Sequence, residues 1–277
     1  VLKSGTAEFE VSETKKTPGG VFMHSGRLKS GSISVGDAVS AVYDVERREA
    51  IRRNHTAAHL LQAGLRKVLG THVEQAGQLV NEKTVRFDFT HFSALTGEEI
   101  TAVEDYVNGI ILSALPVESR EMPIEEAKKL GAMALFGEKY GAVVRVVSVA
   151  DYSVEFCGGT HIDNTGKLGL FHIISENGVA AGVRRIEALT GFNTLSLLRR
   201  TEQINADAAA VLKASGAEDI VSKAVQLTAQ LKESARKLQK AEDQLAAGKT
   251  GDVMSSAVNV GSLRVATARF DGMQPDE

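Results

Sequence analysis

Short runs of alternating hydrophobic and polar residues open the chain. Residues 7–11 and 32–35 alternate in this way, and turn-forming residues separate such runs, as in Pro18-Gly19-Gly20. Period-two alternation between tight turns is typical of short strands. The pattern predicts a small β-barrel or sheet over residues 1–50.

The period of the pattern changes from two to helical spacing after residue 50. Residues 55–69 place Leu61, Leu65 and Leu69 on one side, with Asn54 as a candidate N-cap and Gly70 as a candidate C′ residue. This spacing predicts a helix over residues 55–69. The glycine inside it, Gly64, indicates close backbone packing, because glycine lowers helix stability by roughly 1 kcal/mol relative to alanine.

Strand and helix patterns then follow one another up to about residue 195. Residues 85–89 alternate as in a half-buried strand, Thr96 and Glu99 match a capping box, and residues 142–149 form an apolar run. A short helix is expected near 124–130, and the Asn-Gly pair at 177–178 predicts a hairpin turn of the I′ type. Residues 51–195 are therefore predicted to form an α+β core with a mixed or antiparallel sheet.

The composition shifts toward Ala, Leu, Lys, Glu and Gln after residue 196. Residues 196–248 predict a long C-terminal helical segment with a break near Gly216 and a weak heptad seam through Leu231, Leu238 and Leu245. That seam could pack on its own domain or form a homodimer. Residues 249–277 are predicted to be the start of a further, truncated domain, with a strand over residues 258–270. The chain begins with Val1, and we expect it to be a piece of a longer protein.

Composition restricts the class of protein. Hydrophobic residues make up 43% and charged residues 24%, the net charge is −3, and there is one cysteine, Cys157. No apolar run approaches the roughly 20 residues needed to cross a bilayer, so a soluble chain without membrane contact is expected. An anionic partner would have to meet local clusters of Arg and Lys. The single thiol has no partner for an internal disulfide.

Two pairs of metal-binding side chains stand far apart in the sequence. His55 and His59 are spaced i, i+4 on the predicted helix, and Cys157 and His161 enclose Gly-Gly-Thr at a predicted strand end. One sulfur and three imidazoles suit tetrahedral Zn²⁺. A helical zinc protease is a poor fit, because Thr56 occupies the position of its general base. A zinc finger is also unsuitable, because the two pairs are too far apart.

These motifs resemble the HxxxH and CxxxH motifs of the alanyl-tRNA synthetase editing domain. The resemblance extends over essentially the whole chain and is carried by several segments in the same order. They are Arg-Asn-His-Thr-Ala-Ala-His-Leu-Leu at 53–61, Gly-Thr-His-Val at 70–73, Val-Arg-Phe-Asp-Phe at 85–89, Cys-Gly-Gly-Thr-His at 157–161 and Gly-Val-Arg-Arg-Ile-Glu-Ala at 182–188.

The resemblance implies zinc-dependent hydrolysis of the ester that joins serine or glycine to the 3′ end of tRNA(Ala). His55, His59, Cys157 and His161 would bind zinc. Gln75 would line the substrate pocket, together with Thr56 and the two glycines of the motif, whose backbone N–H groups could stabilise an oxyanion. These glycines are Gly158 and Gly159.

The sequence is compatible with two roles of zinc in the mechanism and offers several candidate tRNA contacts. Either one zinc ligand is loose and hydroxide occupies its place, or zinc orients the amino acid while the terminal hydroxyl of the tRNA assists. Four arginines near the expected cleft are candidate tRNA contacts, namely Arg52, Arg53, Arg184 and Arg185. The resemblance implies a cytoplasmic protein. Aminoacylation and ATP binding would belong to the full-length parent, because the class II synthetase motifs are missing here.

Other classes of protein have parts of this pattern. A free-standing editing protein acting in trans carries both motifs, whereas threonyl-tRNA synthetase differs in the second motif. A non-catalytic, zinc-stapled module for RNA binding or dimerisation would also use the same ligands. Release of serine from mischarged tRNA(Ala) separates the enzymes from the module.

Overall fold

The chain divides into two compact units in a computed structural model. They are Val1–Leu198 and Arg199–Glu277. The structure describes residues 1–133 and 140–267, with the backbone alone for 246 and 248–254. The architecture is α+β, as predicted, with antiparallel sheets and a helical C-terminal segment.

An antiparallel sheet forms the beginning of the chain. Its strands are β1 (Leu2–Ser4), β2 (Ala7–Lys16), β3 (Phe22–Ser30) and β4 (Ser40–Ala41), in the order β3-β2-β1-β4. Of the two alternatives predicted for residues 1–50, a small β-barrel or a sheet, the described residues form an open sheet. Its edge strands are β3 and β4, and no pairing joins them among the described residues.

The first helix begins earlier than predicted. Helix α1 spans Val45–Leu69, and its N-cap is Asp44, whose side chain accepts a hydrogen bond from the backbone N–H of Arg47 at 2.9 Å. The N-cap prediction for Asn54 was wrong, because no helix breaker separates residues 45 and 54 and the helix continues through them. The predicted boundary between residues 50 and 51 therefore falls within α1. The C-terminal end agrees with prediction, since Gly70 caps it with φ 118°.

A second antiparallel sheet packs with two helices around the main core. Phe87 and Phe89 of this sheet are buried with Leu61 of α1 and Val107 of the second helix. A Cβ at Gly64 would lie 3.3 Å from Val107 Cγ2, which confirms the predicted close packing. The elements are β5 (Gln75–Val80), β6 (Val85–Thr90), α2 (Gly97–Leu112), β10 (Phe171–Ala180) and β11 (Val183–Thr190), with sheet order β10-β11-β6-β5.

Two local predictions for this layer had different outcomes. The capping box is confirmed, because Thr96 and Glu99 exchange side-chain to backbone hydrogen bonds at 2.8 and 3.2 Å. The turn prediction at Asn177-Gly178 was wrong, because these residues pair with Arg185 and Arg184 inside the hairpin. The chain reverses instead around Gly182, which has φ 71°.

A third sheet carries the cysteine segment. Strands β7 (Val117–Pro123), β8 (Val143–Val149) and β9 (Ser153–Phe156) pair in that order, and α3 (Ile124–Lys129) packs on them. The apolar run at 142–149 is thus confirmed as a strand, and the short helix near 124–130 is confirmed as α3. Strand β9 ends directly before Cys157, which places the thiol at the start of a loop.

The C-terminal segment is helical, as predicted. Helices α4 (Gly191–Leu212) and α5 (Ile220–Ser255) are interrupted around Gly216. Leu231, Leu238 and Leu245 of the heptad seam are exposed, and dimerisation through them stays a prediction. The predicted strand at 258–270 is a short hairpin of β12 (Val258–Val260) and β13 (Leu263–Val265), and its last three residues lie outside the described residues.

No helix in the described ranges has the length and apolar character needed to span a membrane.

Candidate metal centre

Four side chains from two distant segments meet beside α1. His55 and His59 lie on successive turns of the helix, and Cys157 and His161 belong to the loop after β9. One ligand atom from each residue lies within 4.8 Å of all the others. This convergence was the main spatial expectation from the sequence.

The spacing of the ligand atoms suits a tetrahedral zinc ion. Cys157 Sγ lies 3.5 Å from His55 Nε2 and 3.3 Å from His161 Nε2. Typical Zn–S and Zn–N bond lengths place sulfur and nitrogen about 3.6 Å apart in a tetrahedral site. A thiolate with three imidazoles also matches the ligand preference of zinc. The donor set of the four residues therefore fits this metal, and all four ligand atoms lie within 4.8 Å of one another.

Thr56 fixes the orientation and tautomer of His161. Its Oγ1 lies 3.1 Å from His161 Nδ1, 3.1 Å from the carbonyl oxygen of Arg52 and 3.3 Å from the backbone nitrogen of Ile162. The hydroxyl has one proton, which it donates to the carbonyl, so it accepts from both nitrogens. His161 then carries its proton on Nδ1 and directs the lone pair of Nε2 at the centre. Thr56 is fully buried behind His161 rather than on a cavity wall.

The other two imidazoles also have contacts behind them. His59 Nδ1 faces Glu155 Oε2 at 3.3 Å, and Glu155 Oε1 accepts a hydrogen bond from Ser153 Oγ at 2.8 Å. The backbone of Thr160 hydrogen-bonds the ring of His55. Such contacts orient histidine ligands in metal sites. Sequence reasoning missed Glu155, although strand alternation places residue 155 on the same face as Cys157.

Burial keeps the three imidazoles uncharged. Removal from water lowers the pKa of His55 and of His59 to about 4. It lowers the pKa of His161 to about 2, with a further contribution from the neighbouring imidazoles. Neutral imidazoles offer the lone pair that metal coordination needs, so no proton has to leave these rings near pH 7. Burial acts in the opposite direction on Glu155 and raises the pKa of its carboxyl to about 7.

Two arginines hold the backbone of the ligand loop. Arg145 Nη1 donates to the carbonyl oxygens of Cys157 and Gly159, and its Nη2 donates to Ser119 Oγ at 2.8 Å. Arg52 Nε donates to the carbonyl oxygen of His161, and its Nη1 binds Glu49 Oε1 at 2.7 Å. Arg52, a predicted tRNA contact, is thus engaged with the metal loop.

The two glycines of the loop have different surroundings. A Cβ on Gly159 would lie 2.0 Å from His55 Cε1, whereas a Cβ on Gly158 would meet no atom within 4 Å. The N–H of Gly159 donates to Cys157 Sγ at 3.4 Å. The N–H of Gly159 is therefore already used by the sulfur, whereas from the sequence we expected it to donate to an oxyanion.

A cavity of about 580 Å³ opens beside the ligands. His55, His59 and Cys157 form one part of its wall, and Glu155 and Phe156 continue it. Gln75 lines this cavity, where the sequence placed it, although its role stays a prediction. The facing polar wall comes from α1 and from β5 with the residue before it, and includes Gln62, Arg66, Glu74 and Gln78.

The remaining candidate tRNA contacts lie outside this cavity. Arg185 forms a two-point ion pair with Asp88 at 2.6 and 2.7 Å, and this pair lowers the pKa of the Asp88 carboxyl. Arg184 pairs in the same way with Glu176. Arg53 lines a separate cavity of about 420 Å³. RNA binding by these arginines stays a prediction.

One part of the candidate metal centre lies in a segment that matches a known protein family. Residues 144–187 match the family model described as the threonyl and alanyl tRNA synthetase second additional domain. The matched segment contains Cys157 and His161, whereas the helix with His55 and His59 precedes it.

Two curated relatives align over nearly the whole chain. The alanine–tRNA ligase of Acetivibrio thermocellus is 47% identical over 271 residues, which are 98% of this chain and 31% of that protein. The alanine–tRNA ligase of Alkaliphilus oremlandii is 44% identical over 276 residues, which are 100% of this chain and 31% of that protein. The chain thus spans about a third of the length of these relatives. The resemblance to alanyl-tRNA synthetase is confirmed.

Proposed function

We propose that the chain, as a homologue of one segment of alanine–tRNA ligases, hydrolyses the ester between serine or glycine and the 3′ end of tRNA(Ala). The single observation that carries this proposal is the position of the metal centre. Its four ligands converge in the wall of a cavity of about 580 Å³. Cavities of roughly 300–1,000 Å³ are typical of small-molecule sites. An amino acid esterified to a terminal adenosine is a ligand of this size.

The need for such a reaction follows from the limits of selection by size. A pocket that accepts alanine cannot strongly reject the smaller glycine, and a hydrophobic pocket rejects an added hydroxyl by only about 100-fold. A second site that hydrolyses the wrong products raises the overall accuracy. The similarity to alanine–tRNA ligases supports this substrate class for the cavity.

The chain's own residues would bind and orient the ester. His55, His59, Cys157 and His161 would hold zinc, which supplies Lewis-acid polarisation or a fixed point for the amino acid when bound. The Gln75 amide on the cavity wall offers a donor and an acceptor to the substrate. Arg145 keeps the ligand loop in place through the carbonyl oxygens of Cys157 and Gly159.

The test is release of serine from mischarged tRNA(Ala). We expect the zinc-loaded chain to release serine, chelation to abolish release and added zinc to restore it. Cys157→Ala should lower the rate by at least 100-fold, because it removes the only thiolate ligand. Metal-free protein that releases serine at the full rate would rule out a role for zinc in the reaction.

A non-catalytic zinc-stapled module is the second candidate. It is favoured by one observation: all four ligand atoms already lie close enough to fill a tetrahedral site, and closed sites of this kind are usually structural. In this case the chain would bind tRNA(Ala) and release no serine. Measuring binding and release on the same sample therefore separates the two candidates.

A further inference from the structure

Two residues of the cavity wall, His59 and Gln62, each have a buried polar atom without a hydrogen-bond partner among the described residues, and Gln62 is not one of the candidate metal ligands. Gln62 lies one turn after His59 on the same face of α1, is 6% exposed and lines the cavity. Its Oε1 is buried and accepts no hydrogen bond from any part of the chain that the structure describes. Buried amide oxygens are normally paired, so an unpaired one beside a ligand cavity indicates an acceptor reserved for a ligand.

The nearest arginine on α1 already has hydrogen-bond partners. Arg66, one turn further along α1, donates through Nη1 to the carbonyl oxygens of Thr71 and Val73 at 2.7 and 2.8 Å. His59 Nδ1 lies 3.3 Å from Glu155 Oε2 without forming a hydrogen bond. Gln62 lines the cavity, and rotation of its terminal amide would present the unpaired oxygen to a donor that comes from the cavity.

We propose that Gln62 is a specificity-determining residue that accepts a hydrogen bond from the side-chain hydroxyl of the serine substrate. This inference rests on the proposed function. The α-ammonium of the substrate is charged and is better paired with a carboxylate, which Glu74 offers on the same wall. The neutral amide oxygen of Gln62 is then the match for the neutral hydroxyl.

The same contact would reject alanine. The methyl group of alanine has no donor, so it would leave the oxygen of Gln62 buried and unpaired. Sites built to bind a hydroxyl discriminate strongly against analogues that lack it. Correctly charged tRNA would thereby be spared, while glycine, which lacks the methyl group, would leave room for a water molecule to donate to the same oxygen.

The experiment compares two substrates on each variant of the full 277-residue chain. Rates of release from seryl-tRNA(Ala) and glycyl-tRNA(Ala) are measured on one preparation, so their ratio does not depend on the folded fraction. In Gln62→Met we expect the serine-to-glycine ratio to fall roughly tenfold, because the hydroxyl loses its acceptor. The matched control is Gln78→Met, which removes another amide from the same cavity and should change the ratio by less than about twofold.

The outcomes separate this inference from the proposed function. An unchanged ratio in Gln62→Met, or an equal fall in Gln78→Met, would overturn the role of Gln62 while leaving the editing activity in place. A wild-type chain that releases neither amino acid would overturn both. If Gln62→Met does not fold, Gln62→Asn withdraws the oxygen by one methylene and is expected to lower the same ratio; an unchanged ratio there would also overturn the inference.

Discussion

The two adjacent glycines of the metal loop differ in what they contact. Gly159 lies against the ring of His55, and an added Cβ would come within 2.0 Å of it. Gly158 faces open space. The Gly-Gly pair therefore has one position where a side chain is excluded by a ligand and one where it is tolerated.

Gly159→Ala should weaken zinc binding. Because the new methyl group would displace His55, we expect the affinity to fall about 10- to 100-fold, the range seen when the groups that support a metal ligand are altered. Competition with a chromophoric chelator measures the affinity, and Gly158→Ala is the matched control. Equal affinities of the two variants would contradict the close contact between Gly159 and His55.

At the scale of elements, the sequence predicted helices and strands better than their ends. The capping box of α2 and the strands β6 and β8 are specified by local residues and were predicted correctly. Asn54 has the side chain of an N-cap, but it lies inside α1. There its Nδ2 donates to the carbonyl oxygen of Asn81 at 2.8 Å, and its Oδ1 accepts from Thr190 Oγ1 at 2.6 Å.

The hairpin between β10 and β11 shows the same limit. Asn177-Gly178 is a strong local turn signal, yet the two strands continue past it. A Cβ on Gly178 would lie 3.0 Å from Arg184 Nη1, and Arg184 binds Glu176 through two hydrogen bonds. Cross-strand pairing thus outweighs the local preference, and sequence alone does not show which pairs will form.

Asn54→Ala should be more destabilising than loss of the true N-cap. It removes two buried hydrogen bonds and leaves their partners unpaired, so we expect the free energy of unfolding to fall by about 2–4 kcal/mol. Asp44→Ala should lower it by about 1 kcal/mol. Urea denaturation of the metal-free chain measures both values. No loss in Asp44→Ala would contradict its role as N-cap, and a loss there larger than in Asn54→Ala would contradict the buried hydrogen bonds of Asn54.

At the scale of the whole molecule, the ligand set was predictable and its surroundings were not. The two motifs supply four metal-binding side chains, and the resemblance assigned them to one site. Glu155 and Gln62 acquire their environments only when α1 packs beside β9 and β5. The pairing of Arg184 and Arg185 with acidic residues likewise depends on the assembled sheet.

Acid should destabilise the metal-free protein between about pH 6.5 and pH 4. In this range the imidazoles of His55, His59 and His161 bind protons when unfolded but remain neutral when folded, because burial lowers their pKa values to about 4, 4 and 2. Glu155 acts in the opposite direction. Burial raises the pKa of its carboxyl to about 7, so its contribution to the free energy of unfolding is present at acid pH and is lost as the pH rises from 4.5 to 7. On unfolding, the three imidazoles bind protons and the Glu155 carboxyl releases one, so the net uptake is about two protons.

Urea midpoints at pH 6.5 and pH 5 measure this effect. We expect the free energy of unfolding to be lower at pH 5 by roughly 3 kcal/mol. His161→Asn should reduce the difference, whereas His24→Asn, on the exposed strand β3, should leave it unchanged. A midpoint that stays constant or rises on acidification would show that these imidazoles are not buried in the neutral form.

The metal centre joins parts of the chain that are far apart in sequence. His55 and Cys157 are separated by 102 positions, and their side chains meet only after the intervening strands have assembled. A bound ion therefore acts as a cross-link, which restricts the unfolded chain as a disulfide would. Uptake of an ion would then be a late event in folding, because the four side chains come together only in the assembled core.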